Sequence, residues 1–180
     1  MSTSDTNPAS TTPVKVLITG PVFSGKTTLV QTLSETDVVE TDEIATEDIG
    51  KATTTIALDF GSLTLNGHNV YLFGTPGQDR FDFVWNELSK GSLGMMLMVA
   101  ADKSYDYPYA RKILKTISSQ HPMPFVLGVT RLDVEDAWSL ERVAEYFLLD
   151  IDDVVGLDAR DEESAQAALS ELLERIDSAR

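Results

Sequence analysis

The run Gly20-Pro21-Val22-Phe23-Ser24-Gly25-Lys26-Thr27 has the spacing G-x-x-x-x-G-K-[ST], whose chemistry is phosphate binding. Gly20 and Gly25 permit backbone angles that a Cβ forbids. The N–H groups between them can then turn onto phosphate oxygens, with a helix N-terminus behind them. Lys26 is placed to reach the β- and γ-phosphates, and the Thr27 hydroxyl to hold Mg²⁺. The bland alternative is a glycine-rich turn that binds nothing. The context opposes it, because an apolar, β-branched run over 14–18 precedes the loop and residues 27–33 can open a helix after it. The loop residues expected on a nucleotide are Val22, Phe23, Ser24, Gly25, Lys26, Thr27 and Thr28.

Such a loop needs strands and helices to position it, and the rest of the chain supplies the pattern. Residues 14–19, 93–101 and 124–129 read as buried strands. Residues 53–65 and 68–73 read as a hairpin about Asn66-Gly67, and 153–157 as a short strand. Helix faces recur at Leu29, Val30 and Leu33, at Ala110, Ile113, Leu114 and Ile117, at Leu140, Val143, Ala144 and Phe147, and at Ala165, Ala168, Leu169, Leu172 and Ile176. This alternation predicts an α/β fold of the P-loop NTPase kind, with a mostly parallel six-stranded sheet, one antiparallel strand and about five helices. Ligands in such sheets sit at the carboxyl ends of the strands. The glycine loop, Gly74, Ala101 and Asp133 all fall there.

Bulk properties set the boundaries. A chain of 180 residues with 42% hydrophobic residues suits one domain. Residues 1–13 are Ser/Thr/Pro-rich and read as a disordered tail, leaving 14–180 as the domain. The net charge of -15 argues against nucleic acid or an anionic membrane as partner. Without cysteine there are no disulfides, thiolate metal sites or lipidated cysteines, and Ser2 does not suit myristoylation. No apolar run is long enough to insert in a membrane and no signal peptide is recognisable, so the expected location is cytoplasmic.

With the loop, the hairpin and Gly74-Thr75-Pro76-Gly77-Gln78 in place, the chain resembles a Ras-like small GTPase, closest to the bacterial Mgl-type proteins. The resemblance implies a G domain over 14–180, a GTP/GDP switch with Mg²⁺ as cofactor, and slow intrinsic hydrolysis stimulated by a partner. Effector and GTPase-activating proteins are the partners so implied, a roadblock-type protein among them. Thr55-Ile56-Ala57-Leu58-Asp59-Phe60 resembles the switch that brings a threonine to Mg²⁺, which points to Thr55, with Thr53 and Thr54 as register alternatives. Gly77 would meet the γ-phosphate, and Gln78, with Lys26 the other catalytic candidate, would orient the attacking water. Gly74 stands where the family usually has Asp, a departure that Mgl-type proteins also tolerate, and it weakens the outer support of Mg²⁺. Thr130-Arg131-Leu132-Asp133 takes the place of Asn-Lys-x-Asp. Asp133 would accept from guanine, Arg131 would stack on the base, and Thr130 replaces the bracing Asn. Asp158-Ala159-Arg160 lies where the family has Ser-Ala-Lys, with the Ala159 N–H directed to the base. Val22 occupies a position where a branched side chain crowds the catalytic glutamine.

Two rivals remain. One keeps the fold as a catalytically weak nucleotide-binding scaffold. The other is a P-loop kinase or ATPase, with Asp102 posing as the carboxylate at the end of an apolar strand. The acidic stretch over 35–48 reads as a solvated loop or an effector surface, and Phe81, Phe83 and Trp85 as core or a partner patch. His68 and His121 are isolated, and Met95, Met96 and Met98 fit core packing.

Overall fold

Neighbouring residues of the central strands enter different cores, and this alternation organises the fold. A computed structural model describes the chain over residues 12–41, 58–76 and 82–180. The elements in order are β1 (Val14–Thr19), α1 (Lys26–Leu33), β2 (Val39–Thr41), β3 (Leu58–Leu65), β4 (His68–Gly74), α2 (Asp82–Ser89), β5 (Gly94–Ala100), α3 (Tyr107–Gln120), β6 (Phe125–Thr130), α4 (Leu140–Phe147), β7 (Val154–Gly156) and α5 (Glu162–Ser178). Short 3-10 turns sit at Ser104–Asp106 and Ile151–Asp153.

The strands form one sheet in the order β2-β3-β4-β1-β5-β6-β7. Among the described residues β3 alone runs against the others, pairing antiparallel with β2 and β4. The remaining pairs are parallel. The expected mostly parallel sheet with one antiparallel strand and five helices is therefore present. It gains a seventh strand, the three-residue β2, in a stretch read from sequence as a polar connection. Pairing with β3 makes it a strand, because β-structure is set more by the neighbour than by intrinsic preference. Asn66 and Gly67 both have positive φ, 51° and 77°, as a two-residue hairpin turn requires.

Period-two geometry sends side chains to opposite faces of the sheet. Val16, Ile18, Met96 and Met98 join Leu29, Val30, Leu169, Leu172 and Ile176 beneath α1 and α5. Leu17, Met95, Leu97 and Val99 join Trp85, Ile113, Val143 and Phe147 beneath α2, α3 and α4. The three methionines are core, and so is Trp85, only 1% exposed with its ring 5.8 Å from that of Tyr109. Helix starts are fixed locally. Ser139 accepts a hydrogen bond from Arg142 N at α4, and Asp161 from Ser164 N at α5.

Several expectations fall outside the described residues: the tail over 1–11, Thr53, Thr54, Thr55, Gly77, Gln78, Phe81 and most of the acidic stretch. Among the described residues no helix is long and apolar enough to cross a membrane.

Candidate functional site

β1 ends at Thr19 and the chain turns at once through the glycine loop. Gly20 has φ 143° and Gly25 φ 101°, the latter capping α1 in the left-handed conformation. A Cβ on Gly20 would stand 2.2 Å from the Met98 carbonyl oxygen, so glycine is dictated by β5 as well as by φ. Phe23 is also held at positive φ, 63°, with its ring 78% exposed beneath the ammonium of Lys103 at 5.1 Å.

Lys26 opens α1 and is 7% exposed. Its Nζ donates to Gly20 O at 2.7 Å and Pro21 O at 2.6 Å, with Ser24 Oγ at 3.4 Å. Burial pushes its pKa down to about 8, while the Asp59 and Asp106 carboxylates favour the charge. The ammonium is thus held by neutral carbonyl oxygens in a place where a polyanion would satisfy it better. The next residue, Thr27, donates its hydroxyl to Asp59 Oδ2 at 2.6 Å.

The loop forms one wall of a cleft of about 1210 Å³. Val22, Phe23, Gly25, Lys26, Thr27, Thr28, Thr130, Arg131, Asp133, Asp158, Ala159 and Arg160 all line it. The fold thus gathers residues from three separate parts of the sequence at the carboxyl ends of β1, β6 and β7. Of the loop residues expected on the nucleotide, Ser24 does not line the cleft. It is buried, and its carbonyl accepts from Thr130 Oγ1 at 2.9 Å. Thr130, in the place where an asparagine was missed, therefore still braces the phosphate loop.

The Arg131 guanidinium forks edge-on onto Asp102, Nε to Oδ1 at 2.9 Å and Nη2 to Oδ2 at 3.0 Å, a contact that fixes the group at the cleft and leaves its flat faces uncovered. That fork holds the Asp102 carboxyl below the usual carboxylate range. The same contact engages both oxygens of Asp102. Arg160 forks onto Asp158 in the same way, at 3.0 and 3.1 Å. Asp133, the third carboxylate at this end, makes no hydrogen bond among the described residues.

Sequence reasoning missed Asp59, Thr75, Lys103 and Leu132, all of which line the cleft. The signal for Asp59 was the hairpin itself. Counting seven residues outward on each side of the Asn66-Gly67 turn pairs Asp59 with Gly74. The two histidines lie elsewhere, His68 on Asp177 at 2.9 Å and His121 on Asn86 at 2.7 Å.

Comparison with known proteins supplies the family. The profile of a family described as "conserved hypothetical ATP binding protein" matches residues 35–179. An uncharacterized protein of Methanocaldococcus jannaschii is 32% identical over 123 residues, covering 68% of this chain and 73% of that relative. The profile match begins after the glycine loop, so loop and family are independent observations. They overturn the resemblance to Ras-like, Mgl-type GTPases. That resemblance leaned on the phosphate loop, which reads phosphate and is shared by proteins that differ in base and chemistry. The roadblock-type partner, implied by that resemblance alone, loses its support. The chain is a P-loop nucleotide-binding protein and belongs to this conserved ATP-binding family.

Proposed function

We propose that this chain is a Mg²⁺-dependent nucleoside triphosphatase. The observation that carries the reading is the buried Lys26 ammonium, coordinated by Gly20 and Pro21 carbonyls at the floor of the cleft. In this reading the loop N–H groups and Lys26 bind the phosphates and stabilise charge on the transferring group. The donor chemistry at Thr27, a hydroxyl oxygen at the start of α1, suits a hard cation that keeps phosphate and water oxygens. Mg²⁺ held there would supply positive charge toward the phosphate oxygens. Thr55 is assigned as a further ligand. Gln78, which follows the cleft-lining Thr75-Pro76 segment, is assigned to orient the attacking water.

The family description points to ATP as the nucleotide. A second reading, guanine recognition, is favoured by Asp133. Its two charged neighbours, Arg131 and Arg160, are forked onto other carboxylates, which leaves its oxygens free to accept. Guanine offers two adjacent donors to such a group, N1–H and the exocyclic amine; adenine does not. Competition of ATP against GTP for a bound fluorescent nucleotide, with and without Mg²⁺, separates the two. Guanine recognition requires GTP to win by roughly tenfold or more and the margin to collapse in Asp133→Asn, as loss of a paired recognition contact does. Adenine recognition requires ATP to win and Asp133→Asn to leave the ratio alone. A protein that binds neither refutes both readings and the triphosphatase with them.

A further inference from the structure

We propose that Asp59, on the strand paired with β4, supplies the carboxylate that supports the nucleotide's Mg²⁺. The inference rests on the nucleotide reading above and assigns a residue that the loop motif does not contain.

Register comes first. Asp59 on β3 stands opposite Gly74 on β4, and Ile18 of β1 pairs with the same Gly74. β4 is the strand beside the phosphate-loop strand, so its last residue points at the loop. A Cβ built on Gly74 would lie 3.0 Å from Asp59 Cβ and 3.4 Å from its Oδ2. The space that an acidic side chain at 74 would enter is already filled by the side chain of Asp59. Glycine at 74 and aspartate at 59 are therefore one arrangement, since removing the first side chain makes room for the second.

The hydrogen bond explains what the carboxylate does. An ionised carboxylate is acceptor only, so the 2.6 Å contact is Thr27 Oγ1–H donating to Asp59 Oδ2. A hydroxyl that ligates a cation must present a lone pair and send its proton elsewhere. Asp59 takes that proton and leaves the Thr27 lone pairs toward the cleft, which both residues line. It also brings one negative charge to the cation's side of Lys26. Asp59 is thus a positioning residue acting through Thr27, of the kind whose loss weakens metal affinity while the ligands stay in place.

Mn²⁺ titrated into ADP-loaded and, separately, GDP-loaded protein, read by electron paramagnetic resonance, tests this. Asp59→Asn is expected to weaken Mn²⁺ by about tenfold or more, the range for loss of a group that orients a ligand. Nucleotide affinity measured in EDTA is expected to stay within about twofold, since phosphate contacts are made by the loop. The double variant Asp59→Gly/Gly74→Asp returns the carboxylate from the other strand and is expected to recover most of the Mn²⁺ affinity. Asp59→Ser, with the same expected loss, replaces Asp59→Asn where the latter melts early. Unchanged Mn²⁺ affinity in the single variant overturns the proposal. A double variant no tighter than the single one does so too. Wild-type protein that binds no nucleotide refutes the nucleotide reading itself, an outcome distinct from either.

Discussion

Lys26→Ala is expected to abolish productive nucleotide binding while leaving the nucleotide-free fold as stable as the wild type, or more so. The two effects have opposite signs for one physical reason. In the nucleotide-free protein the ammonium is buried against carbonyl oxygens, and its pKa falls from 10.5 to about 8. The folded state then binds fewer protons than the unfolded state between those two values, so stability rises with pH across that window. Below pH 8 the full penalty is present, on the order of 3 kcal/mol by the pKa scale, and alanine removes it. With a triphosphate bound, the same ammonium faces anionic oxygens. A hydrogen bond to a charged group contributes about 1.5–3 kcal/mol, so losing two of them weakens binding by roughly a hundredfold or more. Fluorescent-nucleotide titration and thermal melting of the same preparation measure both signs. Lys26→Ala protein that binds nucleotide within about threefold of the wild type would remove Lys26 from the phosphate site.

The same charge makes binding pH-dependent. Phosphate raises the Lys26 pKa again, so nucleotide uptake near pH 9 is expected to take up close to one proton, and at pH 7 about a tenth of one. Affinity accordingly falls as pH rises through about 8. Calorimetry in buffers of different ionisation enthalpy counts the protons, and no uptake at pH 9 would show that Lys26 is charged before the nucleotide arrives.

What could be read from the sequence was local chemistry and local period. The loop announced itself because two glycines and Gly25-Lys26-Thr27 sit at fixed spacing between an apolar strand and a helix. β5 was legible because every residue from Gly94 to Ala100 is buried, which gives an unbroken apolar run. Illegible were the pairings that tertiary structure creates between strands. The Arg131–Asp102 fork needs β5 and β6 side by side, and Arg131 alone looks like a free cation. β2 is a strand by virtue of β3, not of its own residues.

The family was misread for a related reason. A phosphate loop is blind to the base above it, and the 130–133 and 158–160 segments depart from the pattern they were matched to. Asp59 shows the same limit in reverse. Position 74 looked like a loss when taken by itself. Only the register of the hairpin shows that a carboxylate still stands at that place, from the neighbouring strand.

Gly20→Ala is expected to be among the most destabilising single substitutions in the protein, although it adds one methyl group. Two constraints meet at this position. Its φ of 143° lies where L-residues are strained, and the added Cβ would stand 2.2 Å from Met98 O and 3.1 Å from Met98 C. Those atoms are backbone of β5, which is bonded on both sides to β1 and β6 and cannot retreat without opening the sheet. Ser24 Oγ, 3.0 Å away, blocks the other direction. The cost is expected at about 4 kcal/mol, the range of forced backbone strain and overpacking combined. In a chain of this size that lowers the melting temperature by roughly 10 °C. Gly67→Ala is the control. It also has positive φ, 77°, but nothing lies within 4 Å of its Cβ, so about 1 kcal/mol of backbone strain is all it should lose. Urea unfolding of both variants compares the two positions. Equal losses would mean that the collision with β5 adds nothing at position 20. The expected result is a Gly20→Ala loss well above that of Gly67→Ala, because the more strained φ of 143° and the contact with the Met98 carbonyl act together at the first residue of the phosphate loop.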